Sequence, residues 1–202
     1  MAYLKTLKIS TMSGKLEGIP AVNSNPLNNK FCNKMSKCPG TICQHCFSRK
    51  MLKTYRSNCV KSFTSNGDIL KSKVLHEDLL PVFNDRYIRI SAHGEMINLN
   101  HFINICNIAK NNTNSTFSIW TKRKPIIARY VKKYGPIPKN LIMIYSNEIL
   151  DKIITSVPKN FNKVFNVITA DSDKINCGSK KCIECLACYK LESENIIVEK
   201  LK

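Results

Sequence analysis

The sequence predicts an α/β fold: a parallel βα sheet with an extended N-terminal segment and two cysteine-rich metal-binding loops. Three observations carry this expectation. Apolar, β-branched runs begin near residues 87, 116, 141 and 163 and alternate with segments of helical period, the spacing of βα units. The first thirty residues carry strand and turn signals without that period. Eight of the ten cysteines fall in two tight groups, within 32–46 and 177–188.

Taken in order, Tyr3–Ile9 alternates as a strand, Ser13-Gly14 is a turn, and Gly18–Val22 is a short extended piece. The Asn- and Pro-rich stretch 23–33 is a loop leading into the first cysteine group. Phe47, Met51, Leu52, Tyr55, Cys59 and Phe63 recur at three and four, which predicts one helix ended by Ser65-Asn66-Gly67-Asp68. Asp68 then caps a second helix carrying Ile69, Leu70, Val74, Leu75 and Leu79, which stops near Pro81. YIRISA (87–92) is a strand, and Leu99, Phe102, Ile103, Cys106 and Ala109 form a helical stripe. TFSIW (116–120) is a strand, and Pro125 opens a helix through Tyr134 at a position that suits proline. LIMIY (141–145) is a strand followed by a helix over 147–156. KVFNVIT (163–169) is a strand, and 196–199 is a last edge strand.

The 202 residues are read as one domain, 1–202, with 43 % hydrophobic residues to supply a core. No apolar run approaches the ~20 residues of a membrane span. The start lacks the apolar stretch of a secretory signal, so a soluble, cytoplasmic protein without a membrane partner is expected. There thiols stay reduced, and metal binding outranks disulfides. The formal net charge is +18. Two four-thiolate centres, each of charge about −2, would lower it and leave it strongly basic. A nucleic acid is therefore a natural partner, with Trp120, Tyr130 and Tyr134 available to stack on bases.

Cys182-x2-Cys185-x2-Cys188, with Cys177 five residues earlier, has the consecutive three-residue steps that wrap a 4Fe–4S cube. Zinc knuckles usually have two such pairs separated by a long insert. Cys38-x4-Cys43-x2-Cys46 has the spacing of plant-type ferredoxins, with Cys32 as fourth ligand. One or two 4Fe–4S clusters are thus expected, with zinc as the alternative. His45 is a donor to sulfur rather than a ligand, and Cys59 and Cys106 are small apolar residues on helical stripes.

In parallel βα sheets function collects at the carboxyl ends of strands. Those ends read His93-Gly94-Glu95, Thr121-Lys122-Arg123, Ser146-Asn147-Glu148 and Asp171-Ser172-Asp173. His93, Glu95, Thr121, Lys122 and Ser146 are candidate contacts to an unknown small molecule. So is Arg89, which needs an acidic partner or must reach the sheet mouth. Both cysteine groups are expected at that same mouth. No P-loop and no GxGxxG is present.

The segments LEGIPAVNSNPLNNKFC, CPGTICQHCF, RISAHGEMIN and FSIWTKR, with the terminal C-x4-C-x2-C-x2-C, resemble the gene-product-88-like proteins of bacteriophages over most of the chain. The resemblance implies a phage or prophage origin, hence the host cytoplasm, and a cysteine-bound metal site; it implies no settled activity. CPGTICQHC followed by SAHGE is similar, more distantly, to radical-SAM enzymes, which use a partial βα barrel with a cysteine loop after the first strand and Gly-Glu ending the second. That likeness implies a half-barrel architecture. Its loops use C-x3-C-x2-C, whereas this chain has x4, and a fourth ligand at Cys32 would leave no iron for S-adenosylmethionine. Two functions follow as expectations: an iron–sulfur protein acting in redox or catalysis, or a metal-stapled nucleic-acid-binding module without catalysis.

Overall fold

The computed structural model describes residues 6–201. Its centre is one sheet of seven strands in sequence order: β1 (Ile9–Ser10), β2 (Ala21–Val22), β3 (Tyr87–Ile90), β4 (Thr116–Thr121), β5 (Leu141–Ser146), β6 (Lys163–Ile168) and β7 (Ile196–Lys200). β1 pairs antiparallel with β2, and every later pair is parallel. Parallel strands laid down in sequence order form the wall of a βα barrel. Here the wall stays open, with β1 and β7 at its edges. The expected parallel sheet is therefore present, as a partial barrel. Among the described residues no helix is long and apolar enough to cross a membrane.

The helices are α1 (Lys30–Met35), α2 (Phe47–Lys53), α3 (Cys59–Ser72), α4 (Leu99–Asn111), α5 (Lys124–Tyr134) and the single turn α6 (Cys182–Cys185). Strand side chains alternate between faces. Ile88, Ile90, Phe117, Ile119, Leu141 and Met143 point to the helix-covered face and pack with Phe102, Ile105 and Ile108 of α4 and Ile127 and Tyr130 of α5. Each such buried side chain stabilises by about 1.5–3 kcal/mol. Ile142, Ile144, Phe165, Val167 and Ile197 form a smaller cluster on the opposite, inner face, with Trp120, Cys177 and Cys188 packed against it.

Four expectations need correction. The stretch 23–33 is not all loop. Asn29 caps α1, its side chain accepting from the N–H groups of Phe31 (2.9 Å) and Cys32 (3.4 Å). The helix expected from Phe47 to Phe63 breaks over 54–58, where Thr54 Oγ1 donates to the Lys50 carbonyl (2.9 Å) and Arg56 N bonds back to Met51. α3 then continues through Ser65–Asp68, the expected break. Asn66 is fully buried and reaches out of the helix to Lys8 N, Lys8 O and the Asn23 carbonyl, while a side chain at Gly67 would meet Ile97 at 3.3 Å. These turn-forming residues serve close approach to the β1–β2 region. Finally, 147–156 forms no helix. Buried Asn147 accepts from Ile149 N (3.1 Å), and Asn166 holds both the N–H and the carbonyl of Ile154, so side chains satisfy the backbone that a helix would have paired. The strand expected over Tyr3–Ile9 lies partly outside the described residues; its end is β1.

Candidate metal and ligand sites

At the carboxyl ends of β3, β4 and β5 four of the expected residues join into one polar chain. Glu95 is buried. Its Oε1 accepts from Thr121 Oγ1 (2.7 Å) and Met96 N (2.8 Å), and its Oε2 accepts from Lys122 N (2.8 Å). Lys122 Nζ donates to Ser146 Oγ (2.8 Å). Burial pushes the Glu95 carboxyl above its ordinary pKa, against the pull of Lys122 and these donors. His93 lies just beneath. Its Nδ1 is 2.8 Å from Ser48 Oγ, and its ring stacks on Phe63 at 5.6 Å. Burial, helped by Arg89 and Arg56, lowers its pKa to about 4, so it is neutral at physiological pH. Gly94 has φ +86°, and a side chain there would also overlap the Ser24 carbonyl, which the loop before α1 lays against it.

The first cysteine group borders this chain. Cys32 comes from α1, and Cys43 and Cys46 come from the turn before α2. Arg49 ties the two pieces, donating from Nη1 to Asn33 Oδ1 (2.7 Å) and to the Pro26 carbonyl (2.9 Å). Burial raises the Cys32 pKa, and Glu95, Cys46 and Cys43 raise it further, while Lys122 opposes. Burial also raises that of Cys43, whose neighbours are Lys122, Cys46, Glu95 and Glu148. Three sulfurs thus share one surround. Cys38 Sγ donates instead to the Lys34 carbonyl (3.4 Å).

The second group lies along β7 and the inner face, with Cys177 beside the carboxyl end of β7, and Ile42 of the first group's loop packs on the same inner cluster as Cys177 and Cys188. Cys177 pairs with Glu199 at the edge of β7, and Cys188 packs on the inner face. Cys177 Sγ accepts from Lys15 Nζ (3.1 Å), which also pairs with Glu199 (2.8 Å). Burial raises the pKa of Cys182, against the pull of Arg89 and Lys15, and pushes that of Cys188 to about 11 against Arg89. Cys177, Cys182, Cys185 and Cys188 all enter one another's surroundings, directly or through a shared neighbour.

Arg89 borders this second group and also His93, at the end of its own strand. It points from β3 to the inner face, 2 % exposed, and among the described residues no carboxylate pairs with it. Its guanidinium carbon lies 3.6 Å over the Trp120 ring, which itself stacks on Phe165 at 4.0 Å. The expected acidic partner is absent because the strand faces thiols here. Trp120 stands beside Cys188, and the Tyr189 hydroxyl stands beside Arg89. Neither contact has full hydrogen-bond geometry, so Arg89 Nε, Ser118 Oγ, Trp120 Nε1 and Tyr189 OH are all buried without a partner. Lys163 is fully buried at the start of β6 and donates to Ser193 O, Ser193 Oγ and Glu194 O, each at 3.0 Å, with Cys188 among its charged neighbours.

Sequence reasoning missed Lys163, Trp120 and Tyr189 as members of this site. The placement of Trp120 in TFSIW, alternating with Ser118 and opposite Ile119, was the available signal. Tyr130 is not free to stack on bases: it is 2 % exposed and packs edge-on to Phe102 at 4.9 Å. Cys106 is fully buried in the helix-side core and Cys59 is half-buried by α2. All ten cysteines are free thiols, and among the described residues no three His, Cys, Asp or Glu side chains form a ready-made ion site. The second group has four thiols with buried, partnerless N–H and O–H groups nearby, and the first has three thiols beside a lysine. No family model matches this chain, nor does any curated protein or solved structure.

Proposed function

We propose that this chain is an iron–sulfur protein whose partial barrel carries two thiolate-bound centres, one for reaction at the mouth and one on the inner face. The observation that supports it best is the asymmetry of the first cysteine group. Cys32, Cys43 and Cys46 share one surround, while Cys38 is turned to a backbone carbonyl. Three thiolates on a 4Fe–4S cluster leave one iron open to a ligand. Beside those three thiols lies the chain Glu95–Thr121–Lys122–Ser146, whose carboxyl, hydroxyl and ammonium groups would orient a small polar molecule. The bound cluster would supply one-electron chemistry; the side chains would hold the ligand and exclude water. The likeness to radical-SAM partial barrels makes S-adenosylmethionine the first ligand to test.

Thiols raised by burial must lose their protons to bind metal, so loading is favoured by alkaline pH and by loop closure around the ion. The test is oxygen-free reconstitution with ferrous iron and sulfide, followed by metal and sulfide analysis and electron paramagnetic resonance. A brown protein is expected, with Cys38→Ser retaining the first cluster and Cys43→Ser losing it. A changed cluster spectrum on adding S-adenosylmethionine would locate the open corner. Colourless protein with stoichiometric zinc would overturn the reading.

A second reading, nucleic-acid binding, is favoured by charge placement. Residues 18–67 hold eight Lys and Arg and no Asp or Glu, and Phe47 and Tyr55 on this segment are 60 % and 65 % exposed. Cations with exposed rings suit a single strand. Salt-dependent binding of a single-stranded oligonucleotide, weakened in Lys50→Glu/Lys53→Glu, would support it, and no binding at low salt would remove it.

A further inference from the structure

The inner face holds an electrostatic problem that its own side chains do not solve. A guanidinium cannot shed its proton, and burying it without an anion is costly. Arg89 is 2 % exposed and no described carboxylate pairs with it. Lys163 is fully buried as well. All three of its ammonium donors are used, on two carbonyls and a hydroxyl, and its acidic neighbours Glu192 and Glu194 are exposed. Both cations border the second cysteine group. Lys15, the third cation at that group, is already answered by Glu199. Two buried positive charges therefore face four thiols.

The orphaned polar atoms cluster in the same place. Arg89 Nε and Trp120 Nε1 are donors only, and both lack a partner. Two donors and two hydroxyls without partners, buried on the face that meets these thiols, call for an acceptor. A four-thiolate centre, whether 4Fe–4S in its oxidised resting state or zinc, carries a charge of about −2 and presents several sulfur acceptors.

We infer that the inner face is a charge-matched cage for a dianionic thiolate centre, in which Arg89 and Lys163 neutralise the centre bound by Cys177, Cys182, Cys185 and Cys188, and Arg89 Nε and Trp120 Nε1 donate to its sulfurs. This rests on the proposed reading that the second group binds metal, and it adds which residues set the centre's charge and potential. Arg89 and Trp120 are positioning and tuning residues; they do not ligate. A cation and N–H donors beside a cluster favour the electron-rich form, so they raise its reduction potential.

The test uses the full chain, reconstituted with ferrous iron and sulfide without oxygen. The iron lost in Cys182→Ser defines the second centre's share. In Arg89→Met that share falls by at least half, or the centre's potential drops by more than a tenfold shift in its reduction equilibrium, 59 mV for one electron. Trp120→Phe keeps the ring stack and the iron but lowers the potential. The metal-free protein gives the sign that packing alone would not. There Arg89→Met removes an unanswered charge, so the urea midpoint stays or rises, whereas loss of mere packing on Trp120 would lower it with and without metal. Unchanged iron and potential in Arg89→Met, or a lower midpoint in its metal-free form, would overturn the inference. Wild-type protein that binds no iron at Cys182 would instead overturn the parent reading, a result distinguishable from both.

Discussion

Gly94→Ala probes how tightly the mouth is fastened to the loop that delivers Cys32. Gly94 has φ +86°, and an added Cβ would overlap the carbonyl oxygen and the hydroxyl of Ser24, with the Ser24 carbonyl carbon at 2.7 Å. The left-handed backbone costs an alanine about 1–2 kcal/mol. The overlap is with backbone on one side, so relief means moving the loop, at about 1–3 kcal/mol. Ser24 N–H bonds the His93 carbonyl (3.1 Å), and Asn23 Oδ1 accepts from His93 N (2.9 Å); losing one costs about 1 kcal/mol. The sum is about 4 kcal/mol, a large part of a stability of about 5–15 kcal/mol. Urea unfolding followed by circular dichroism should show the midpoint falling by about 2 M at an ordinary slope. Gly135→Ala is the control. Its φ is +84° with nothing within 4 Å of the added Cβ, so it carries a backbone cost alone, and a generous one, since ψ is −157°. If Gly94→Ala is no more destabilising than Gly135→Ala, the close approach to Ser24 holds nothing together and the argument fails.

Three further outcomes follow from single contacts. Burial and Arg123 lower the His101 pKa to about 3, so the folded chain resists protonation that the unfolded chain accepts near 6.5. That stability is complete above pH 6.5 and is lost as pH falls from there toward 3, at about 1.4 kcal/mol per unit. His101→Gln should flatten the acid side of the urea-midpoint profile, and an unchanged slope would refute the assignment. Asn66→Ala removes three bonds to Lys8 and Asn23 from a fully buried site and should cost about 3 kcal/mol, read by the same melts. Thr121→Val leaves Glu95 Oε1 short of a donor and Arg123 N without its acceptor, a loss of about 2 kcal/mol; a neutral result would mean that water replaces the hydroxyl.

The strands of the sheet were legible because β3 to β6 are short runs rich in aromatic and β-branched residues bounded by polar ends, a signature that needs no tertiary knowledge. α4 and α5 were equally plain, with stripes that meet the sheet. What the sequence hid depended on long-range contact. Ser65-Asn66-Gly67-Asp68 reads as a turn until Asn66 is seen reaching Lys8, 58 residues away. The stretch after β5 reads as a helix until Asn147 and Asn166 are seen taking its backbone bonds. At the site, Glu95, Thr121, Lys122 and Ser146 were found because strand ends are an address. Arg89's inner face followed from its alternation with Ile88 and Ile90, but its stack on Trp120 and its closeness to the second cysteine group depend on contacts far along the chain. Lys163 gave no signal, because a lysine opening a strand is ordinary until its burial is known.

The two cysteine groups sit in different mechanical settings, and that separates how their segments behave without metal. A closed βα barrel fills its interior with side chains from every strand. Here the inner face carries a small apolar cluster of Ile142, Ile144, Phe165, Val167 and Ile197, and the crossover from β6 to β7 brings Trp120's neighbour Cys188 and the partly buried Cys177 against it. That crossover holds only the single turn α6, so little of its own secondary structure fixes it. A metal joining four of its thiols would close the loop and supply the order that a helix gives elsewhere. The first group is already fastened, by the Asn29 cap, the Arg49 bonds to Asn33 and Pro26, and the Gly94 contact with Ser24. Cys182→Ser should therefore lower the urea midpoint of the metal-loaded chain, and a chelator that strips the second centre from the wild type should reproduce the shift, growing with the tightness of the site lost. Cys43→Ser should also lower the midpoint of the loaded chain, because any centre bound only by the folded chain stabilises it. Limited proteolysis of the metal-free chain separates the two: the 169–195 crossover should be cut, while the fastened segment 29–49 stays protected. Equal cutting of both segments would show that both centres staple the fold, and would take away the ground for assigning reaction to one and structure to the other.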